Sequence, residues 1–443
     1  MSAGRGLEVH QHPQRPTVIM FWRYWLRLGC ISVGGPAAQI ALMHQELVVE
    51  KRWISEARFL HALNYCMVLP GPEAQQMAVY TGWLLHGVWG GIVAGSLFVL
   101  PAFLLLVGLS FVYMQWGNVP EIAALLYGVK PLVIALIFAA AWRLSRRVLR
   151  VRWLWAVALG ALALQFLQVS FPVIILLAAL VGWSMQQWFP AVVKLQKSNA
   201  ASAMQAHLPC VIDDDTPLGG LNHWRQLMLR IGMAALILGP GVLCALWLGF
   251  GGQHVFTRLA LFFGKAALLT FGGAYAVLPY VFDVSVQHFH WLNAAQMLDG
   301  LALGESTPGP LIMVLTYIGF VAGWQAGLAM PLWQAGLIGA SIVTWFTFLP
   351  SFILVFLGAP WLEHTRKQFR WAIPLAAISA AVVAGIIYLA LKLMQHVIWP
   401  AGGVDMVSAG MVVIMLWLLL KSRTPMLWLL LGCMLFGWLL KMG

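Results

Sequence analysis

The chain has 443 residues, of which 61% are hydrophobic and 9% are charged, and its mean hydropathy is +0.85. This composition excludes a soluble globular protein and predicts an all-α polytopic membrane protein, since a transmembrane barrel would show alternating hydrophobicity. The formal net charge of +12 does not indicate nucleic-acid binding, because the basic residues of a membrane chain mark the orientation of its loops.

Residues 1–17 are polar and lack a cleavable signal peptide, so we expect a cytoplasmic N-terminus there. We then expect an N-terminal repeat at 18–189, a cytoplasmic linker with a connecting transmembrane helix at 190–256, and a C-terminal repeat at 257–443. Apolar stretches predict six spans in each repeat and one in the linker, about thirteen in all. These spans lie near 18–43, 57–81, 88–115, 121–142, 153–168, 171–189, 229–249, 257–282, 296–322, 333–358, 371–395, 404–420 and 425–440.

The two repeats carry the same motifs at a fixed spacing. Each motif recurs 238 residues later (272 − 34, 291 − 53 and 308 − 70): Gly34-Gly35 as Gly272-Gly273, Trp53 as Trp291, and Pro70-Gly71-Pro72 as Pro308-Gly309-Pro310. Further along, the spacing becomes 249 residues, because Pro101 and Phe103 match Pro350 and Phe352 (350 − 101 and 352 − 103). The chain is therefore predicted to be a fused duplication.

Basic residues indicate how the repeats are oriented. They cluster in loops that the positive-inside rule places in the cytoplasm: Arg143, Arg146, Arg147, Arg150 and Arg152; Lys194 and Lys197; Arg366, Lys367 and Arg370; and Lys421 with Arg423. One connecting span turns the second repeat over, so we expect inverted topology in a bacterial inner (cell) membrane, with a periplasmic C-terminus. Inverted repeats are typical of secondary transporters, while scaffolds and channels are the alternatives that also use duplicated helices.

The Pro-Gly-Pro motifs predict a break within an apolar segment of each repeat. A proline removes a backbone donor and clashes with the preceding turn, and a glycine permits strained angles, so the helix should end and restart there. A restarted helix directs its open N–H groups and its positive dipole end toward the break, which favours an anion. The predicted substrate-binding residues are therefore Pro70, Gly71, Pro72, Pro308, Gly309 and Pro310, with kinks needed only for packing as the alternative.

Other groups near these motifs could donate hydrogen bonds to the same ligand. The glycine pairs Gly34, Gly35, Gly272 and Gly273 would let the backbone approach an oxyanion closely. Hydroxyl groups flank the motifs at Ser32, Thr270, Ser306 and Thr307. We expect these residues to line one site between the repeats.

Both halves resemble the chromate ion transporter (CHR) family in its long, two-domain bacterial form, over roughly residues 20–440. The resemblance lies in Ser32-Val33-Gly34-Gly35-Pro36, Arg52-Trp53 and Leu69-Pro70-Gly71-Pro72-Glu73-Ala74, and in Phe271-Gly272-Gly273-Ala274-Tyr275, Trp291 and Thr307-Pro308-Gly309-Pro310-Leu311-Ile312. One departure is Val33, where the family usually has Phe, whereas Phe271 keeps the aromatic residue in the second half.

The resemblance implies that the chain exports chromate from the cytoplasm and confers chromate resistance. It also implies that the driving force is the membrane potential or an exchanged ion rather than ATP, and the absence of a Walker motif agrees. Transport or exchange of sulfate or another oxyanion, and a passive anion channel, are the alternatives, because tetrahedral oxyanions present similar hydrogen-bond geometry.

Ionisable residues within predicted spans are costly in lipid and are therefore candidates for function. Arg27 and Lys265 precede the glycine pairs and would attract a dianion, or would extend to the membrane surface instead. Glu73, Asp299 and Glu305 are candidates for proton coupling or for pairing with a basic residue, and Lys130 lies deep enough to line the path.

No enzyme motif accompanies these features. The sequence contains no H-E-x-x-H, no G-x-S-x-G and no metal-ligand spacing among its five cysteines, so we expect no catalytic activity, metal or cofactor. The expected partners are chromate, with sulfate as a competitor, and the lipid bilayer, with no nucleic acid. A homodimer and the coupling ion are left open.

Overall fold

The computed structural model describes residues 15–32, 35–117, 119–188, 210–213, 224–271, 274–364, 372–400, 403–422, 424 and 426–442. Within these ranges the secondary structure is helical and contains no β-strand, apart from one isolated bridge between Ile54 and Ile212. The all-α prediction is confirmed.

The helices follow one another in the same order in the two repeats. The first repeat contributes α1 (Val18–Ile31), α2 (Gly35–His44), α3 (Glu56–Cys66), α4 (Glu73–Trp116), α5 (Pro120–Val148), α6 (Arg152–Phe166) and α7 (Phe171–Trp188). The linker contributes α8 (Trp224–Leu236) and α9 (Val242–Phe250). The second repeat contributes α10 (Val255–Leu268), α11 (Leu278–Phe282), α12 (Ala294–Ser306), α13 (Val314–Gln325), α14 (Leu332–His364), α15 (Ala372–Ile398), α16 (Met406–Lys421) and α17 (Met426–Met442).

Five helices in the described ranges are long and apolar enough to cross a membrane: Glu73–Trp116, Pro120–Val148, Gln226–Phe250, Leu332–Ala359 and Ile373–Ile398. Other apolar helices are shorter than the roughly 20 residues that a straight crossing requires: Arg152–Phe166, Phe171–Gln187, Leu311–Gln325, Met406–Lys421 and Trp428–Lys441. The chain is a polytopic membrane protein, whereas the count of thirteen spans and the inverted topology remain predictions.

Local structure recurs with the predicted spacing of 238 residues. The π-helical turn Gln45–Glu50 corresponds to the π-helical turn Asp283–His288. Ser55 caps the N-terminus of α3, and Asn293, at the matching position, caps α12 with a capping box. Arg52 and His290 also match, and each has a positive φ of 51°. Shared conformations at matched residues support the duplication that the motifs predict.

The two tryptophans of the repeated motif are buried in matching aromatic surroundings. The Trp53 ring lies 5.1 Å from Tyr24, and the Trp291 ring lies 5.7 Å from Phe262, which is the residue matched to Tyr24. Edge-on aromatic pairs of this kind stabilise a core beyond their buried area. Each tryptophan therefore anchors the loop that leads into α3 or α12.

The change of spacing from 238 to 249 residues has a structural origin. Helix α4 would be about 66 Å long if it were straight, but it has non-helical angles at His86 and Gly87 that divide it in two. In the second repeat the corresponding helices, α13 and α14, are separated by residues 326–331. The extra residues therefore lengthen a connection that the first repeat reduces to a kink.

The linker contacts the rest of the protein in two regions of its described residues. Residues 210–213 run beside the loop before α3, where the Ile212 amide donates to the Trp53 carbonyl at 3.1 Å and the Ile212 side chain is buried. Helices α8 and α9 lie at the periphery, joined by the π-helical turn Ile237–Gly241. The Trp345 indole of α14 donates to the Leu238 carbonyl of this turn at 3.0 Å. The linker is thus attached to both repeats.

Helices α13 and α14 cross at glycines. A methyl group on Gly339 would lie 2.2 Å from the Gly319 carbonyl oxygen, and one on Gly319 would lie 2.6 Å from the Gly339 carbonyl oxygen. Small residues at a crossing let two backbones approach closely, which is how helices associate within lipid.

We predict that Gly339→Leu destabilises the protein by about 1–3 kcal/mol, because the new side chain separates the two helices. Gly108→Leu is the matched control, since Gly108 is also helical and has nothing within 4 Å of the position of a methyl group. Thermal denaturation of the purified proteins in detergent measures the difference. Equal midpoints for the two variants would contradict the close crossing.

Candidate functional site

Both Pro-Gly-Pro motifs interrupt their helices as predicted. Helix α3 ends at Cys66 and α4 begins at Glu73, while α12 ends at Ser306 and a 3-10 turn at Leu311–Met313 leads into α13. The central glycines have φ of +128° at Gly71 and +112° at Gly309. Residues with a side chain rarely adopt these angles, so the glycines are required by the backbone itself.

The two breaks exchange backbone hydrogen bonds across the repeats. The Gly71 amide donates to the Thr270 carbonyl at 2.7 Å, and the Gly309 amide donates to the Ser32 carbonyl at 2.6 Å. Gly71 matches Gly309 and Ser32 matches Thr270 in the duplication, so the two bonds are equivalent. Each break is therefore completed by the end of the first helix of the other repeat.

The contacts around the glycines are reciprocal too. A methyl group on Gly71 would lie 2.2 Å from the Ser351 hydroxyl oxygen, and one on Gly309 would lie 2.4 Å from the Ala102 side chain. Ala102 and Ser351 are matched at the later spacing of 249 residues (351 − 102). Each break thus packs against α4 or α14 of the opposite repeat.

Two buried glutamines satisfy carbonyl groups that the breaks expose. The Gln39 amide of α2 donates to the Gly309 carbonyl at 2.5 Å and lies 3.4 Å from the Ser32 carbonyl. The Gln76 amide of α4 donates to the Pro70 carbonyl at 2.8 Å. Freed backbone groups need such partners at membrane depth, because lipid offers none.

A third glutamine has a side-chain amide without a hydrogen-bond partner in the described part of the chain. Gln75 lies in the first turn of α4, directly after the first break, and it is fully buried. Its amide nitrogen and oxygen have no hydrogen-bond partner in the described part of the chain, and neither has the hydroxyl of Ser32. With the open N–H groups of the first turn, the Gln75 amide can hydrogen-bond an oxyanion at the first break, and the Ser32 hydroxyl can do so at the second.

The breaks share their geometry but differ in polarity. Glu73, Gln75 and Gln76 follow the first break, whereas the matching residues after the second break are Leu311, Met313 and Val314. Ser351 packs on the first break, whereas its match Ala102 packs on the second. The polar lining beyond the break is therefore concentrated in the first repeat.

The predicted hydroxyl donors are mostly engaged within their own helices. The Thr270 hydroxyl donates to the Ala266 carbonyl at 2.8 Å, and the Thr307 hydroxyl donates to the Gly304 carbonyl at 2.9 Å. The Ser306 hydroxyl donates to the Leu303 carbonyl at 2.8 Å. Ser32 and Thr270 instead reach the breaks through their main-chain carbonyl groups.

The glycine pairs are only partly described. Gly34, Gly272 and Gly273 lie outside the described residues. Gly35 begins α2 with a φ of +82° and has open space where a side chain would be. The prediction that these glycines contact an oxyanion therefore stays a prediction.

The two predicted basic residues have exposed side chains. Arg27 is 63% exposed and lies 3.7 Å from Glu46 of the first π-helical turn. Lys265 is exposed on α10. The structure brings neither side chain into the buried contacts of the breaks, and their predicted part in attracting an anion is untested.

The three predicted coupling carboxylates are buried. Glu73 is the first residue of α4, where its charge suits the helix N-terminus. Glu305 accepts a hydrogen bond from the Tyr275 hydroxyl at 2.5 Å. Asp299 accepts one from the Tyr113 hydroxyl at 2.9 Å and lies 3.4 Å from the Lys130 ammonium. In the described ranges, no group of three or more His, Cys, Asp or Glu side chains is arranged to hold a metal ion.

Sequence reasoning missed the glutamines and Ser351. Gln39, Gln75 and Gln76 are polar residues in apolar helical segments, two of them directly after Pro-Gly-Pro, and this is the signal that could have identified them. Ser351 carried no such signal, because only the fold brings α14 against the first break.

The chain matches known proteins over both repeats. The family described as chromate transporter matches residues 19–183 and 257–438. The chromate transport protein of Pseudomonas aeruginosa is 33% identical over 434 residues, which are 95% of this chain and 91% of that protein. The chromate transport protein of Cupriavidus metallidurans is 28% identical over 90% of this chain and 87% of that protein.

A shorter relative matches about a third of the chain. An uncharacterized transporter of Bacillus subtilis is 29% identical over 156 residues, which are 34% of this chain and 79% of that protein. No solved structure matches the chain.

The glutamines allow a test that separates structural from ligand-binding roles. We predict that Gln39→Met lowers stability by about 1–3 kcal/mol, because the Gly309 carbonyl loses its donor within the core. Gln75→Met should not lower stability, because the Gln75 amide has no partner to lose. Thermal denaturation in detergent measures both variants, and equal losses would show that Gln75 is a structural residue.

Proposed function

Because the chain belongs to the chromate transporter family, we propose that it is a secondary active transporter that exports chromate across the bacterial inner membrane and so confers chromate resistance. The relatives named chromate transport proteins support the substrate. The observation that carries the mechanism is the reciprocal pair of hydrogen bonds from Gly71 to Thr270 and from Gly309 to Ser32.

We place the oxyanion at the first break. The open N–H groups of the first turn of α4 carry the positive end of the helix dipole, and the Gln75 amide adds a neutral donor. The Ser32 hydroxyl lies at the second break, where the Gly309 amide donates to the Ser32 carbonyl. The glycine pairs and the second break complete the site, with Thr270 and Thr307 near its edge.

Alternating access follows from the exchange between the repeats. If the repeats have inverted topology, each break moves with the first helix of the opposite repeat, so a rocking motion changes both breaks together. Such a motion opens the site to one side of the membrane at a time. The inside-negative membrane potential favours outward movement of an anion, and Glu73, Asp299 and Glu305 are the groups available for a coupled proton.

Sulfate is the second candidate substrate. Backbone and amide donors recognise the tetrahedral shape and the negative charge of an oxyanion. Chromate, sulfate and molybdate share both properties. The hydrogen-bond donors at the first break therefore support competition by sulfate. A passive channel is the further alternative. It differs from a secondary active transporter because it lacks energy coupling and cannot accumulate its substrate.

We predict that everted membrane vesicles with this protein accumulate chromate, that an uncoupler abolishes the accumulation, and that excess external sulfate inhibits it. Vesicles without the protein are the control. Uncoupler-insensitive equilibration without accumulation would indicate a channel, and the absence of any chromate flux with folded protein present would remove chromate as the substrate.

We predict that Gly71→Val and Gly309→Val reduce chromate flux at least about a hundredfold, because a β-branched residue cannot adopt the positive φ at either break. Gly108→Val is the control, since its side chain would meet open space. Flux is normalised to folded protein from size-exclusion chromatography. Wild-type flux in either break variant would place the transport site elsewhere.

Arg27→Ala and Lys265→Ala test the two exposed basic residues. If these residues attract the dianion, each substitution raises the chromate concentration for half-maximal flux several-fold at low ionic strength, and salt reduces the difference. An unchanged concentration would assign both side chains to the membrane surface, in keeping with the exposure of Arg27.

A further inference from the structure

A partly buried ion pair joins the two repeats. The Lys130 ammonium of α5 lies 3.4 Å from the Asp299 carboxylate of α12. Three other ion pairs of the described residues each lie within one repeat: Arg27–Glu46, His44–Glu56 and Lys392–Asp283. Opposite charges inside a membrane protein are costly, and a pair that also crosses between the moving parts points to a role in transport.

The two side chains of this pair differ in how far they are exposed at the protein surface. The Asp299 side chain is 6% exposed and the Lys130 side chain is 26% exposed, although no residue from 124 to 139 of α5 is classed as exposed. Asp299 also keeps a second partner, the Tyr113 hydroxyl at 2.9 Å. Lys130 is therefore the more accessible member of the pair, while Asp299 keeps a second partner.

Asp299 lies on the helix that enters the second break. It precedes Ser306, the last residue of α12, by seven residues (306 − 299), so the two share a helix face two turns apart. A change of partner at Asp299 therefore acts on the helix that leads into Thr307 and Gly309.

We infer that Lys130 is a cationic ligand of the transported tetrahedral dianion, that Asp299 occupies Lys130 while the site is empty, and that Asp299 takes up one proton when the dianion replaces it. This inference rests on the proposed function. The ammonium moves from the carboxylate to the oxyanion, and a hydronium ion of the solvent gives up the proton that forms the new O–H bond of Asp299. An ionised Asp299 left beside the dianion would repel it, so binding and protonation are linked.

The linkage has a consequence for energetics. A dianion that crosses with one proton carries one net negative charge, so the membrane potential drives its exit even though a proton leaves with it. Affinity should rise as pH falls, because protonation of Asp299 frees Lys130.

Few other groups influence this response. The titratable groups that act on Asp299 from the helices packed on α12 are Lys130 of α5, Tyr113 of α4 and Tyr317 of α13. Helices α15 and α17 place no hydrogen-bonded or ion-paired group on Asp299 within the described ranges. Tyrosines are neutral near pH 7, so the charges of Lys130 and Asp299 decide the pH dependence.

The test is equilibrium binding of radiolabelled sulfate, molybdate and chromate to the purified full-length protein in nanodiscs between pH 6 and 8. Sulfate and molybdate stay dianions throughout this range, whereas chromate is partly protonated at its lower end, so chromate affinity is expressed per chromate dianion. Wild-type affinity should fall with rising pH, by up to about tenfold per unit for one linked proton. Asp299→Asn should bind without pH dependence at the low-pH affinity of the wild type. Lys130→Met should bind at least about tenfold more weakly at every pH. Asp283→Asn, which alters an ion pair within one repeat, should follow the wild type.

Wild-type pH dependence in Asp299→Asn, or wild-type affinity in Lys130→Met, would overturn the inference. If Lys130→Met fails to fold, the double variant Lys130→Met with Asp299→Asn leaves no unpaired charge, and it should fold yet bind weakly; tight binding by this protein also overturns the inference. If the wild type binds sulfate or molybdate but not chromate, the proposed substrate is wrong and the same variants decide the inference with that anion. If it binds none of the three, both proposals fall.

Discussion

The structure depends on one constraint: main-chain groups freed by a broken helix need hydrogen-bond partners where lipid supplies none. This chain meets the constraint by exchange, since each break glycine donates to the carbonyl that ends the first helix of the opposite repeat. Gln39 and Gln76 then satisfy carbonyl groups of the breaks. The duplication is thus more than a repetition of sequence, because neither half can complete its own break.

The two repeats share the geometry of their breaks but carry different polar and charged residues. The first break continues into Glu73, Gln75 and Gln76, whereas the second continues into apolar residues. The second repeat instead carries buried carboxylates ahead of its break, where Asp299 pairs with Lys130 and Glu305 with Tyr275. Such a division suits a transporter in which one repeat holds the substrate and the other responds to it.

The sequence predicted the helical class, the duplication and both breaks, because Pro-Gly-Pro within an apolar segment has few other structural solutions. It did not predict whether the residues at the breaks would act through their side chains or through their main-chain groups. Ser32, Thr270 and Thr307 were predicted as hydroxyl donors, but the hydroxyls of Thr270 and Thr307 bond within their own helices, and Ser32 and Thr270 contribute carbonyl groups. Lys130 and Asp299 are distant in sequence, so only the packing of α5 on α12 reveals their pairing.

Because the hydrogen bonds are exchanged between the repeats, donor and acceptor are synthesised in a different order for each break. Gly309 emerges after its acceptor Ser32, but Gly71 emerges 199 residues before its acceptor Thr270 (270 − 71). At ribosomal rates this interval is about 10–40 s. Throughout it the Gly71 amide lacks its native acceptor, so the nascent N-terminal half enters the membrane with an incomplete break and matures only when the second half docks against it.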